Sequence, residues 1–380
     1  MLLPMIDLVF MWQLLILFEV VLFTSYTFIM YIYSRKEEKK ENPINSDLPS
    51  ITLIIPMYNE EKVIREKIEN TALLDYPNGK LEVIIVDDYS KDNSIKISKD
   101  AISKTSLKAK VVKNEGGKGK ARGLNWIFPQ VSNEITVISD ADALLKEDSL
   151  LQITKNYSDP MIGGVTGKIM IISDKRRISK SQEDSYRSYF DLWRQGESKI
   201  GSVSVCNGPL MSFRTNLLKR IKVDPDAYAD DSDILFKIIQ LGHRVVYDKK
   251  AIVFERVPLT LKGRTIQKMK RINGLRKVYL NNLDLLGKGS FGKIIFPYAL
   301  LTHIISPLVV LFIVLFYPLV VLKEPWYLGL LLLLLLPKIG ELLISFVTTQ
   351  LIMNFSFLIP TSGSWEAVED ARYKCKYNNQ

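Results

Sequence analysis

Cysteine and histidine are almost absent from this chain. Cys206 and Cys375 are the only cysteines, and His243 and His303 the only histidines, in 380 residues. Two cysteines so far apart give neither a disulfide framework nor a zinc-ligand spacing, and they suit a reducing compartment. Two histidines exclude a histidine-based metal cluster and leave acid–base work to carboxylates. No Walker-type phosphate loop and no nucleophile motif is present. The formal net charge of +10 is not arranged as basic blocks with interleaved aromatics, so no nucleic-acid partner is expected. The basic residues gather at 35–40 and 262–293, beside apolar stretches, where they read as membrane-surface charge.

Apolar sequence is what the chain has in quantity, at 47% of residues. The first long stretch, within residues 1–34, is too long for a signal-peptide core and lacks a basic leader, so it predicts an anchor rather than a cleaved signal. A basic linker, 35–48, follows it. A second span is predicted over 294–322 and a third over 326–348. The third carries Pro337, Lys338 and Glu341 in its interior. Lys338 and Glu341 would pair at i, i+3 and face other helices, or the helix breaks at Pro337 and 341–360 forms a further span or an in-plane segment. Basic residues follow the first span and precede the second, which places the region between them in the cytoplasm. With three spans, an interfacial segment and tail over 349–380, with Arg372, Lys374 and Lys376, return to that side.

Residues 49–260 read as an α/β domain, followed by basic amphipathic interface helices over 261–293. Strands are predicted over 51–55, 81–86, 110–113 and 134–139, with helices over 61–73, 94–102 and 118–128. Alternation of this kind with continuously apolar strands implies a mostly parallel sheet covered on both faces. Ligands then bind beyond the carboxyl ends of the strands. Three such ends carry chemistry: residues 56–60, Asp87-Asp88-Tyr89-Ser90, and Asp140-Ala141-Asp142. Positions i and i+2 of a strand share a face, so Asp140 and Asp142 are predicted together, able to hold one hard divalent cation with phosphate and water as its other ligands. Acidic residues also open loops and cap helices, which is the plain alternative for both aspartate pairs.

Five motifs in order, IIPMYNEE (54–61), VIIVDDYSKD (83–92), GKARGLN (119–125), SDADA (139–143) and ADDSD (229–233), resemble those of a family 2 inverting glycosyltransferase. The flanking spans make the chain similar to the membrane-embedded branch, with cellulose, chitin and hyaluronan synthases and ceramide glucosyltransferases. The resemblance implies a GT-A fold, the Rossmann-like mixed sheet of nucleotide-diphospho-sugar transferases, joined to transmembrane helices. It implies a nucleotide-diphosphate sugar donor, usually a UDP-sugar, and a lipid or lipid-linked glycan acceptor among membrane lipids. By the same resemblance Pro56, Tyr58 and Glu60 line the nucleotide site and Asp88 binds base or ribose. Lys120 sits near the phosphates, with Gly123 standing where the family has Ala. Asp140 and Asp142 hold Mg²⁺ or Mn²⁺. Asp231 is the general base, with Asp230 where Glu or Thr is usual and Asp233 as a capping or supporting group. Residues 206–214, with Gly208, resemble the acceptor-side strand.

The sixth motif departs from the pattern. Processive members carry Q-x-x-R-W, whereas this chain has Gln267-Lys268-Met269-Lys270-Arg271. Gln267 is in place, Lys270 stands where Arg is expected, and Arg271 replaces Trp. On a helix Gln267, Lys270, Arg271 and Gly274 share a face, keeping a cationic phosphate contact without Arg's fork at 270 or an aromatic platform. A basic interfacial helix on anionic lipid fits the same residues. The departure favours transfer of one sugar over processive polymer synthesis. A glycan-lipid binding module without turnover is the reading from another class, and the complete acidic motifs speak against it.

Overall fold

The computed structural model describes residues 7–36, 48–172, 178–226, 229–256, 258 and 260–358. Most of the predicted linker, at 37–47, and the tail from 359 onward, with Arg372, Lys374 and Lys376, lie outside the described residues. A long apolar helix, α1 (Leu8–Ser34), opens the chain. Then strand and helix alternate: β1 (Ile51–Met57), α2 (Ile64–Ala72), β2 (Leu81–Asp87), α3 (Ser94–Ser103), β3 (Ala109–Lys113), α4 (Lys120–Ile127) and β4 (Ile135–Ile138). The short β5 (Leu144–Leu145), α5 (Ser149–Lys155), β6 (Ile162–Ile172) and α6 (Ile178–Ile200) follow. The domain ends with β7 (Met211–Arg214), α7 (Thr215–Leu218), α8 (Asp230–Gln240), β8 (Arg244–Arg256) and α9 (Leu261–Asn281).

Among the described residues the strands form one sheet in the order β3-β2-β1-β4-β7-β6-β8-β5. The first four strands pair in parallel, and β7 enters antiparallel to both β4 and β6, so the sheet is mixed. The chain reverses direction across the sheet between β1 and β4, the switch point where α/β sheets bind ligands. Here β1 outruns its neighbour. It pairs with β4 only as far as Ile54↔Ile138, but with β2 as far as Met57↔Asp87. Pro56 thus falls where β4 has already left the sheet, and its missing N–H costs no ladder bond on that side.

Both faces of the sheet are covered, which is why β1, β2 and β4 are mostly apolar. One core holds Ile64 and Ile68 of α2 together with Ile153 of α5. The other holds Leu124 of α4, Phe236 of α8 and Tyr279 of α9, and runs on without a break to Phe291 and Phe296. The Phe236 ring lies 5.6 Å from Tyr279 and 5.2 Å from Phe296, edge-on to the latter. Rings of this kind add to area burial and lock the sheet onto the following helix.

That helix, Phe291–Lys323, and α1 are each long and apolar enough to cross a membrane. They pack together through Trp12 Nε1, which donates to the Ile313 carbonyl at 2.9 Å, and Ser306 Oγ, which donates to Glu19 at 2.8 Å. Helix α1 also binds α6: the Tyr26 hydroxyl donates to Glu197 at 2.5 Å. Gly196 makes that approach possible, since a Cβ there would lie 2.5 Å from the Met30 carbonyl oxygen.

Of the two forms left open for 326–348, the break at Pro337 is the one that forms. A 3-10 helix, Pro325–Leu335, meets the helix Pro337–Phe355 at 107°, and the pair is a third candidate span only if counted as one. Pro337 cannot supply the N–H that would continue the first helix, and the residue before a proline avoids the helical region, as extended Leu336 does. Lys338 and Glu341 are exposed rather than turned toward other helices. The far end of Pro337–Phe355 is tied to α9 by Arg276, whose Nη1 donates to the Met353 carbonyl at 2.6 Å and to Ser356 Oγ at 2.8 Å.

Candidate active site

Asp140 and Asp142 are not on the strand. β4 ends at Ile138, and the aspartates stand on a turn closed by the Ala143 N–H on the Asp140 carbonyl at 3.3 Å. A turn, and not strand alternation, therefore brings the carboxylates together. The Asp142 carboxyl is pushed up to about 6 by burial, with the Asp140 and Glu255 charges adding to the rise against Arg256. Like charges at close range favour the protonated form unless a cation separates them.

Across from this turn lies the first turn of α8. Ala229 is the N-cap of that helix, and Asp230, Asp231 and Asp233 lie within its first turn. Each has a different task. Asp233 pairs with Lys237 at 2.6 Å and accepts from the Asp224 N–H at 2.8 Å, which fixes the entry to the helix. Asp230 lies 3.2 Å from Lys120 Nζ. Asp231 accepts the Gly208 N–H at 3.1 Å and its neighbour's N–H, from Ser232, at 2.6 Å. A Cβ on Gly208 would lie 3.3 Å from Asp231 Oδ2 and 3.7 Å from Asp140 Oδ2, so these two carboxylates face one small space across a residue without a side chain. Gly208 itself is in a loop; of the residues 206–214 expected as a strand, only Met211–Arg214 form one.

Lys120 opens α4 immediately after Gly119, whose φ of 125° is a conformation that L side chains rarely adopt. Its ammonium bridges Asp140, at 2.9 Å, and Asp230. Burial works against its charge, but the two aspartates outweigh it and hold the lysine above its ordinary range. Lys120 thus sits between carboxylates, one of them the first aspartate of the pair.

Of the residues expected on the nucleotide side, Pro56, Asp88 and Lys120 line one small recess together with Val86 and Asn114. Both Asp88 oxygens accept the Gly119 N–H at 2.9 Å, and Oδ1 accepts Asn114 Nδ2 at 2.8 Å, so the carboxylate also braces the glycine-rich loop. It does not cap α3, which starts at Ser94 behind Asn93. Tyr58 offers its ring to Lys118 Nζ, 5.3 Å from the centroid. Glu60 is buried, its N–H donating to Ser94 Oγ at 2.7 Å.

From α9 the cation that reaches the site is Arg271. Its Nη2 lies 2.6 Å from Glu255, and the charges of Asp231 and Asp140 also act on it. Gln267 and Lys270 are half-buried on the same helix. Of the three polar residues expected to share this face, Arg271, standing where the family's aromatic would, is the one paired with the end of β8. The sequence reading missed Glu255 and Arg256 altogether. Their signal was present as two charged residues closing an apolar strand, FERVP at 254–258.

Burial, followed by Asp230, pushes the Asp231 carboxyl from 3.8 up to about 6, against Lys120, the Ser232 N–H and Arg271. The resemblance makes Asp231 the general base, and a base must be ionised, so kcat is expected to fall as pH drops through about 6 and to level off above it. A pH–rate profile flat down to pH 5 would contradict this.

Residues 52–222 match the family model described as Glycosyl transferase family 2. The chain is 26% identical over 254 residues to the poly-beta-1,6-N-acetyl-D-glucosamine synthase of Staphylococcus epidermidis, covering 64% of this chain and 61% of that protein. It is 28% identical over 266 residues to the synthase of the same name from Staphylococcus aureus (strain COL), covering 67% of this chain and 62% of that protein. The matches thus span less than two thirds of the length of these relatives. Among solved structures, the mannosyltransferase PcManGT from Pyrobaculum calidifontis in complex with GDP-Man and Mn²⁺ superposes with a TM-score of 0.75 at 24% identity. The superposition covers 91% of this chain and 97% of that one. This likeness is one of fold.

Proposed function

We propose that this chain, which carries a glycosyl transferase family 2 domain on a GT-A sheet, is a metal-dependent inverting glycosyltransferase acting on a membrane-proximal acceptor. The observation that carries the proposal is the Asp231 carboxylate facing the Asp140 turn across Gly208. Asp231 takes the proton of an acceptor hydroxyl while that oxygen attacks the anomeric carbon. The bond from that carbon to the diphosphate oxygen breaks, and the configuration inverts in one step. Two backbone N–H groups aim the carboxylate, and its raised pKa keeps it basic enough to receive the proton near neutral pH.

The donor atoms suit a hard divalent ion. Asp140 and Asp142 offer carboxylate oxygens, and among the described residues no group of three His, Cys, Asp or Glu stands as a ready-made cage. That arrangement fits Mg²⁺ or Mn²⁺ completed by substrate phosphate and water. Such an ion, when bound, neutralises the charge developing on the leaving diphosphate. Pro56, Tyr58, Glu60 and Asp88 hold the nucleotide of the donor, a UDP-sugar in this reading. Lys120 and Arg271 supply positive charge at the diphosphate, with Gln267 and Lys270 further along α9. The helices Leu8–Ser34 and Phe291–Lys323 flank the domain, and the proposed topology keeps the catalytic part cytoplasmic with a lipid or lipid-linked glycan as acceptor.

A second reading, processive synthesis of a polysaccharide, draws support from the name of the staphylococcal relatives. The two are separated by product length. Detergent-purified chain is incubated with nucleotide sugars, Mn²⁺ or Mg²⁺ and a membrane lipid extract, and the products are resolved by size. Addition of one sugar to a lipid-extractable product is expected; a ladder of polymers overturns single transfer and establishes the second reading.

A further inference from the structure

One buried lysine is linked to both halves of the reaction centre: directly to the aspartate turn, and through Ser139 to the loop whose Gly208 N–H holds Asp231 on α8. Lys67 lies on α2, whose apolar residues pack in the core on one face of the sheet, while those of α8 pack in the core on the other. Its side chain is fully buried, at 0% exposure. Nζ donates to Ser139 Oγ at 2.6 Å and to the Ala143 carbonyl at 2.7 Å. Ser139 immediately precedes Asp140 and Ala143 immediately follows Asp142, so one ammonium grips both ends of the aspartate turn. The grip extends further. The Ser139 hydroxyl donates in turn to the Pro209 carbonyl at 2.7 Å, and Gly208, the preceding residue, donates its N–H to Asp231. Arg256, 1% exposed, adds a hold on the middle of the turn. Its Nη1 donates to the Asp142 carbonyl at 2.8 Å, and its Nη2 lies 2.6 Å from Glu66.

Both hydrogen-bond acceptors of Lys67 Nζ are neutral, and burial lowers its pKa to about 7 against the pull of the Asp140 and Asp142 charges. Burying a charge against neutral acceptors is costly, and an apolar side chain of similar length would fill the same space more cheaply. Stability does not account for a lysine here, but geometry does. An ammonium with several donors can bind a hydroxyl and a carbonyl from two ends of a turn at once.

We propose that Lys67 is a positioning residue that sets the spacing between the Asp140–Asp142 turn and Asp231 through Ser139. The proposal rests on the reading that the turn holds the metal and diphosphate while Asp231 is the base. Groups that orient metal ligands from behind are worth about 10–100-fold in affinity or activity. The two readouts are the Mn²⁺ half-saturation of nucleotide binding and kcat.

The test uses the full chain in detergent: wild type, Lys67→Met, Ser139→Ala, Asp140→Asn and Thr71→Val. Thr71 is a buried α2 residue whose hydroxyl donates to the Lys67 carbonyl at 2.7 Å, and it serves as a control for loss of helix stability alone. UDP and GDP are each titrated calorimetrically across a Mn²⁺ series, and kcat and donor KM are measured. Lys67→Met and Ser139→Ala are expected to raise the Mn²⁺ half-saturation about tenfold or more and to lower kcat with it, while Thr71→Val changes neither. Should Lys67→Met fail to fold, Ser139→Ala alone carries the test. Half-saturation and kcat within about twofold of wild type in the folded variants overturn the role of Lys67 and leave the metal reading standing. Nucleotide binding indifferent to Mn²⁺ in wild type and unchanged in Asp140→Asn overturns the metal reading itself, and this inference with it.

Discussion

Asp231→Asn is expected to lower kcat by about 10²–10⁴-fold, the usual range for losing a positioned base, while leaving nucleotide binding close to wild type. Asparagine has the same shape, and its carbonyl oxygen can still accept the Gly208 N–H that aims the aspartate. It cannot take up a proton. The loss therefore falls on the chemical step, and the acid limb of the pH profile should lose the contribution of Asp231. Turnover equal to wild type, measured by nucleotide diphosphate release with acceptor present, would remove Asp231 from the mechanism.

Asp140→Asn should be comparably severe for a different reason. The side chain is one of the two carboxylates on the turn and also the nearer partner of Lys120 Nζ, at 2.9 Å against 3.2 Å for Asp230. Its removal halves the negative charge available to a divalent cation. It also takes from a buried lysine the nearer of these two ion-pair partners. Charge neutralisation at a leaving diphosphate is worth several kcal/mol, so a fall on the order of 10²–10³-fold in kcat/KM is expected, together with loss of metal-dependent nucleotide binding. Chelation of wild type with EDTA should reproduce the binding defect, and Asp231→Asn should not share it. Undiminished Mn²⁺-dependent UDP or GDP binding by Asp140→Asn would show that the metal is held elsewhere.

The strands on which these residues depend were legible because each is a short run of apolar, mostly β-branched residues ending in polar ones. Ile51–Met57 and Leu81–Asp87 differ from the sequence reading by only a residue or two at their ends. The placement of Asp231 in a helix's first turn was harder to read, because helix N-termini tolerate acidic residues both before and inside that turn. In the third apolar segment the sequence left two forms open, one span or a break at Pro337. Hydrophobicity measures how much a segment favours lipid, but Pro337 decided its shape by breaking the backbone into pieces that meet at 107°.

Position 271 shows where local pattern stops. Gln267, Lys270 and Arg271 share a helical face in the sequence, and no periodicity ranks them. The rotation of α9 about its axis ranks them, and that rotation is set by Leu275, Val278 and Tyr279 packing into the core beneath. Arg271 is then brought to Glu255 at the end of β8. Lys67 is a stronger case. In sequence it is one charged residue among several on a polar helix, and only the fold turns it inward under the aspartate turn.

Covalent order along the chain therefore carried the fold class, the apolar helices and the chemical character of each strand end, because those follow from short-range periodicity and side-chain type. Tertiary structure alone decided which charges meet: Lys120 with Asp140 and Asp230, Arg271 with Glu255, Lys67 with Ser139. Each of these contacts joins segments whose separation in sequence carries no signal. Each depends on how closely buried side chains pack, since that packing places donors and acceptors to within a few tenths of an ångström.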